Sequence, residues 1–405
     1  MNGPGRLHGV VQRYAWGSVT ALPRIMGVPP TGDPQAELWL GAHPRAPSVL
    51  HRDGMNRPLD RVIAADPVGE LGSDTAGTFG GELPFLLKIL AVAQPLSLQA
   101  HPTRSRAEAG HATEDARGIP LTAPHRLYRD RNHKPELICA LEPFTALCGF
   151  RQPTTTAALL ESLEVPGLSP VIELLNAGEI QAALRWLLEL PPGDGSELAH
   201  RVVAACARPG SFPGERRWAV RIGEQHPGDI GVAIALMLNP VHLDPGQALY
   251  LGAGSLHIYL HGVAVEIMAS SDNVLRGGLT VKHVDTAALM EVVDCHPDRA
   301  PVMVPEGPVH TFRPPVRDFS LTRMEVTETV VCQPGRSSSN SITTRMEVTE
   351  TVVCQPVGPE ILLCASGRVV AAGHEVAGGA AIWLPAGTGE YEVAGTGLVF
   401  RARTN

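Results

Sequence analysis

Between residues 151 and 240 apolar side chains recur at helical spacing, and on either side of that block they do not. TTTAALLESLE, SPVIELLNAGEIQAALRWLLEL and GSELAHRVVAACA repeat apolar residues every 3.6 positions, with PG, PPGDG and RPGSFPG between them. Residues 1–150 read as strands and loops. They carry short apolar runs such as PSVL (47–50) and LPFLLKILAV (83–92), and a helical patch around 103–117. From about residue 241 short strands and tight turns return and continue to the C-terminus. A chain ordered this way is expected to be mainly β with an inserted helical subdomain.

Two stretches 133 positions apart support a pair of barrels. PGQALYLGAGSLHIYLHG (245–262) and AGGAAIWLPAGTGEYEVAG (377–395) share the spacing of a strand, a glycine turn and a strand. The expected organisation is 1–150 as the first part of one barrel and 151–240 as the helical insertion. Residues 241–310 complete that barrel, and 311–405 form a second one. In the shared register His257 aligns with Glu390 and Tyr259 with Glu392, so the second barrel is expected to hold no metal.

TRMEVTETVVCQP occurs at 322–334 and again, unchanged, at 344–356, bridged by GRSSSNSIT. Identity over 13 residues points to a recent local duplication or a sequence artefact rather than a diverged structural repeat. One copy is expected to supply a barrel strand. The other, with its Ser-rich bridge, is expected to be exposed and poorly ordered.

The chain of 405 residues is 44% hydrophobic and carries a net charge of −8. These values suit a globular protein and argue against a nucleic-acid surface. No apolar run long enough for a membrane span and no secretory h-region are visible. Seven scattered cysteines without a C-x-x-C pair argue for reduced thiols in a cytoplasm and against a disulfide scaffold or a cysteine-based zinc site. Of the 33 basic residues only Lys88, Lys134 and Lys282 are lysines. A compact ammonium does work that a flat guanidinium cannot, so these three stand out as candidates.

The chemistry-bearing residues fall in four stretches. In LSLQAHP (96–102), Gln99 and His101 share one face of an extended strand. Alone, the pair reads equally as a hydrogen-bonded strand end. In YRDRNHKPEL (128–137), Pro135 biases Lys134 toward extended geometry, which puts Lys134 and Glu136 on one face. SLHIYLHG places His257 and Tyr259 on one face, and VEIMASSDNVLRGGLTVKHVD (265–285) carries Asp272, Asn273, Arg276 and Lys282. Glu136, His101, His257 and the Gln99 amide oxygen form a mixed N/O donor set suited to Zn²⁺ or another divalent transition metal. Lys88, Lys134, Arg276 and Lys282 are cations able to neutralise a phosphate.

QRYAWGS (12–18), AELWLGAHP (36–44), LPFLLKIL with PLSLQAHP (83–102), YRDRNHKPE (128–136) and VEIMASSDNVLRGGLTVK (265–282) resemble the type I mannose-6-phosphate isomerases. The resemblance is strong over about residues 1–320 and weaker beyond. It implies cupin-like barrels, a catalytic one followed by a C-terminal one, and one Zn²⁺ per chain held by Gln99, His101, Glu136 and His257. It further implies Arg276 as the catalytic arginine and Lys88, Ser97, Lys282, Tyr259 and Glu266 as substrate contacts. The family commonly reads L-T-P-K where this chain has LTVK, so Val281 is a departure beside Lys282.

The implied reaction interconverts mannose 6-phosphate and fructose 6-phosphate through a cis-enediol. Candidates for the base are Lys134, Asp272 and metal-bound water. The rival readings are a non-catalytic zinc cupin that senses sugar phosphates, and a metal oxygenase on the same barrel. The donor set and the lysines fit the oxygenase poorly. The expected partner is a small sugar phosphate, with no nucleic acid and no membrane, on a cytoplasmic monomer or weak homo-oligomer.

Overall fold

The structure is a computed structural model and describes residues 2–298, 300–327, 329–330, 353–354 and 357–405. It is mainly antiparallel β with a helical region, as the apolar spacing predicts. Two compact units cut across the four sequential segments of the sequence reading. One comprises Met1–Ala91, Ala264–Ser270 and Met303–Asn405, the other Val92–Val263 and Ser271–Val302.

In the first unit, N-terminal strands join C-terminal ones in a single sheet. Gly5–His8 lies between Val49–Arg52 and Ala381–Leu384. From there the order runs through Glu360–Ala371 and Tyr391–Arg403 to Ser320–Val326 and Val309–Phe312. Such long-range pairing leaves no local signature, which is why residue order did not reveal it. Met324, Leu362, Cys364, Val369, Ile382, Val393 and Val399 pack one face into a core. Buried charge there is paired: Glu360 accepts from Tyr391 at 2.8 Å and from Arg401 Nε at 2.7 Å. Glu70 accepts from Trp383 Nε1 at 2.7 Å and faces Arg52.

The second unit holds the helical block. The patch expected near 103–117 is the helix Arg104–Ala116, capped by Thr103 Oγ1, which accepts from Arg106 N at 3.2 Å. Within 151–240, SPVIELLNAGEIQ is two helices, Ser169–Asn176 and Ile180–Leu188. Gly178, at φ +84°, breaks the run in the left-handed region open to glycine. The polar-faced helix Pro213–Gln225 has too few apolar residues to have been read from spacing. Leu159, Leu168, Val171, Leu184, Val202 and Ile222 form the helical core, continuous with Leu98, Leu256, Leu275 and Leu279.

Both expected strand–turn–strand corners form: Ala248–Leu251 leads to His257–Ala269, and Ala381–Leu384 leads to Tyr391–Arg403. The duplicated segment enters this second corner. Ser320–Val326 pairs with Tyr391–Arg403 from Ser320↔Arg403 to Val326↔Gly397, and the same register continues at Thr329↔Ala394 and Val330↔Val393. The next rungs are Val353↔Glu392 and Cys354↔Tyr391. The ladder therefore steps from the first copy to the second with a jump equal to the 22-residue repeat. The described rungs on Tyr391–Arg403 thus form one composite ladder, from Ser320–Val326 and Thr329–Val330 to Val353–Cys354. The expected disorder of the spare copy and its bridge lies outside the described residues.

Excision of 331–352 rejoins Val330 to Val353 and regenerates a single unbroken copy with the same rungs. The shortened chain is expected to fold with a Tm no lower than that of the full chain, since every described rung is kept and a shorter connection closes at a lower entropic cost. A calorimetric scan showing a drop of roughly 5 °C or more, about 1 kcal/mol or more for a domain of this size, would contradict the composite register.

Candidate metal centre and active site

The centre is built by sheet register in the second unit. Gln99 stands opposite His257 on one neighbour and opposite Arg276 on the other. Directly paired residues project to the same side of a sheet, and so do residues two apart on one strand. Gln99, His101, His257, Tyr259 and Arg276 thus share a face. The segment around Gln99 is tied down on both edges. Leu96 N donates to Tyr259 O at 2.9 Å, Leu98 N to Gly278 O at 3.2 Å, and Gly277 N to Leu98 O at 3.0 Å. Ser97 lies between these anchors. Glu136 opens the buried strand Glu136–Ala140, which pairs with Ala248–Leu251.

Three of the four predicted metal ligands converge. One donor atom each from His101, Glu136 and His257 lies within 4.8 Å of the others, and all three residues are buried. His101 Nε2 is 3.2 Å from Glu136 Oε1, and His257 Nε2 is 3.5 Å from Glu136 Oε2. The protons of both rings are committed elsewhere. His101 Nδ1 donates to Asn273 O at 2.9 Å and His257 Nδ1 to Ser255 O at 2.9 Å. Each Nε2 therefore presents a lone pair, as metal-binding imidazoles do. Burial, then Lys134, pushes the His101 imidazole down to about 4, and burial also lowers His257.

Two lone pairs aimed at a carboxylate repel unless a cation sits between them. His101 Nε2 is buried and has no hydrogen-bond partner. Burial acts to raise the Glu136 carboxyl, but the Lys134 ammonium, at 3.0 Å, holds it well below the usual range. The donor set, the tautomers and the orphaned nitrogen together fit a divalent metal.

The surrounding shell is denser than the sequence suggested. Tyr259 donates its hydroxyl to Glu136 Oε2 at 3.4 Å and packs edge-on against Phe144. Asn273, fully buried, is a hub that the sequence reading placed only on a turn. Its Oδ1 accepts from Arg129 N at 2.7 Å and Asp130 N at 3.2 Å. Its Nδ2 donates to Asp130 O at 2.8 Å and Asn132 O at 2.9 Å. One side chain thus ties the loop before Lys134 to the carbonyl that orients His101. Asp130 adds to it by accepting from Asp272 N at 2.7 Å, while burial raises its own carboxyl. Glu114 fixes the approach to that loop through Leu127 N at 3.0 Å and Tyr128 N at 2.9 Å.

The remaining predicted residues divide. Arg276 is half-buried on the shared face, its Nε has no hydrogen-bond partner, and burial followed by Arg129 lowers its guanidinium. Lys282 and Val281 are exposed on the loop that follows. Lys88 and Glu266 belong to the first unit and pair there at 3.0 Å. Lys88 also lies 3.7 Å from Glu37 and over the Trp39 ring at 5.4 Å. Glu37 was missed, although a carboxylate opening the otherwise apolar buried strand ELWLG was a visible signal.

Comparison with known proteins agrees with this geometry. The family described as phosphomannose isomerase type I, catalytic domain, matches residues 5–153. The mannose-6-phosphate isomerase of Salmonella typhimurium is 40% identical over 334 residues, covering 80% of this chain and 84% of that protein. The chain belongs to the type I mannose-6-phosphate isomerase family. The human member is 32% identical over 356 residues, covering 79% of this chain and 81% of its own. A crystal structure of the Salmonella typhimurium family member bound to fructose 6-phosphate and zinc superposes with a TM-score of 0.86 at 33% identity, covering 100% of both chains.

Two outcomes follow for this family member. Asn273→Ala removes the clamp behind His101 and is expected to weaken metal affinity about 10- to 100-fold, measured by competition with a chromophoric chelator. Unchanged affinity would mean that the hub does not orient the ligand. In metal-free protein, His101 is neutral in the fold down to about pH 4, whereas in the unfolded chain it takes up a proton near 6.5. The unfolded state binds more protons in that window, so stability is lost as pH falls from about 6.5 toward 4. Thermal scans after chelation should show Tm level above pH 7 and falling through that window. A flat profile would contradict the neutral imidazole.

Proposed function

We propose that this chain interconverts mannose 6-phosphate and fructose 6-phosphate by proton transfer between C2 and C1 through a cis-enediol, with zinc as the bound metal. The observation that carries the reading is the convergence of His101, Glu136 and His257 with both Nε2 lone pairs turned inward. The enzymes and the zinc- and substrate-bound structure to which the chain is similar support it. They favour an isomerase over a non-catalytic zinc sensor.

His101, Glu136 and His257 would hold the ion, with Gln99 as fourth ligand. The Gln99 assignment is supported by its ladder position beside His257. When bound, zinc acts as a Lewis acid that polarises a substrate oxygen. Arg276, opposite Gln99 in the ladder, carries unpaired N–H into the same face and would meet negative charge developing on the enediol oxygens. Lys134 and Asp272 are the side chains proposed to carry the proton. Lys134 lies against Glu136, and the Asp272 backbone is clamped by Asp130. Ser97, Tyr259 and Lys282 are proposed as substrate contacts. No helix among the described residues is long and apolar enough to cross a membrane. The reading takes the protein as a cytoplasmic monomer or weak oligomer without a nucleic-acid partner, which the net charge of −8 supports.

Incubation with mannose 6-phosphate in D₂O tests the whole reading. The expected result is fructose 6-phosphate with solvent deuterium at the exchanged carbon, lost on chelation and restored by zinc. Binding of the sugar phosphate without exchange would instead identify a sensor.

A further inference from the structure

The helical block contributes no metal ligand, yet one of its carboxylates reaches the loop that follows Arg276. Asp229 sits in the turn between the helices Pro213–Gln225 and Gly231–Ala235. Its Oδ1 accepts from Gly231 N at 2.8 Å, and its Oδ2 from Leu279 N at 2.7 Å and Thr280 N at 3.3 Å. The backbone it grips is one that would not stay put unaided. Leu279, buried, adopts φ +56°, where a branched-chain residue is strained. Gly278 adopts φ +125°, and a Cβ there would come within 2.9 Å of Asp229 Oδ1 and 3.1 Å of Gly231 Cα. Beyond the grip, Thr280 Oγ1 accepts from Lys282 N at 3.1 Å, and Asp285 caps the next helix through Ala288 N at 2.8 Å.

We propose that Asp229 is a positioning residue for the sugar phosphate: by holding Leu279 and Thr280 it sets the Lys282 ammonium at a fixed station relative to Arg276. The proposal rests on the functional reading above, in which Lys282 contacts the substrate. Backbone N–H bonds to a carboxylate are charge-assisted and directional. Two of them hold the loop at Leu279 and Thr280, and the third anchors the same carboxylate to Gly231 in its own turn. Asparagine at this position keeps one acceptor oxygen and turns an NH₂ toward N–H donors, so it cannot hold both Leu279 and Gly231. The grip also supplies what LTVK lacks relative to L-T-P-K. Val281 is fully exposed and leaves the loop without a proline's fixed φ.

The test is a kinetic double-mutant cycle on full-length, zinc-loaded protein using Asp229→Asn, Lys282→Ala and the double variant, with zinc content and Tm recorded for each. Asp229→Asn is expected to raise KM for mannose 6-phosphate about fivefold or more, with kcat changed less than about twofold. It should weaken competitive inhibition by inorganic phosphate by a similar factor. In the Lys282→Ala background the same change should move KM less than about twofold, because the residue being positioned is gone. An unchanged KM in Asp229→Asn, or an equal fold-change in both backgrounds, overturns the proposal and leaves Asp229 as a stability element. If Asp229→Asn does not fold, Asp229→Ser keeps one acceptor without the competing NH₂ and is read the same way. Absence of turnover in the wild type would overturn the functional reading instead. Calorimetric titration of inorganic phosphate would then still report whether Asp229 and Lys282 act together.

Discussion

A buried carboxylate facing two buried imidazoles is the interaction on which this structure turns. Glu136 lies 3.2 Å from one Nε2 and 3.5 Å from the other. Both rings have their protons turned away, so neither can donate to it. Lys134 offers Glu136 a formal positive charge at 3.0 Å. Burying an anion against two lone pairs is costly unless a cation closes the gap. The Nδ1 atoms of both rings are tied to backbone carbonyls. The site cannot relax by rotating an imidazole without breaking a bond to Asn273 O or Ser255 O.

The ligands come from three distant segments, and ordinary sheet pairing brings them together. Gln99 faces His257 and Arg276 because two short strands and the start of a long one are in register, and His101 follows on the same face by alternation. No special backbone is needed at the ligands themselves. The unusual conformations lie next to them, at Gly278 and Leu279, and are held from outside by Asp229. Regular strands thus fix the donors and Arg276, and a strained loop gripped by a carboxylate carries Lys282. Sites on regular elements hold geometry more tightly than sites on loops, which suits a metal centre. A loop suits a phosphate contact, provided something pins it.

Local signals made the ligands and the element types legible. Alternation gave Gln99 with His101 and His257 with Tyr259 as same-face pairs, the apolar interval marked the helical block, and glycine spacing marked the two corners. Long-range partnerships were not legible. Nothing in GRLH announces that it pairs with Ala381–Leu384. Nothing in NAGEIQ identifies Gly178 as a break rather than a tolerated interior glycine. Asp229, and the hub role of Asn273, escaped because a residue whose work is to accept backbone N–H bonds looks, in sequence, like any turn-former. The charge of Glu37 in a buried apolar strand was visible but had no partner to explain it until Lys88 and Trp39 were seen beside it. Residues that touch the reacting centre are limited by chemistry to few types and so stand out. Residues that place them are limited only by position.

The donor chemistry also narrows which ion the centre suits. Magnesium and calcium call for six or more oxygen ligands. Two neutral imidazoles and one carboxylate, within 4.8 Å of one another, match the nitrogen and oxygen preference and the low coordination number of zinc. The charge balance points the same way. Glu136 contributes one negative charge, and Lys134 beside it already claims part of that charge. A divalent ion there keeps most of its own charge to act on a substrate oxygen. A second carboxylate would hold the ion more firmly and quench that action. A neutral Gln99, the fourth ligand proposed above, would complete the shell without adding charge, a physical reason for an amide where a carboxylate would give a tighter site.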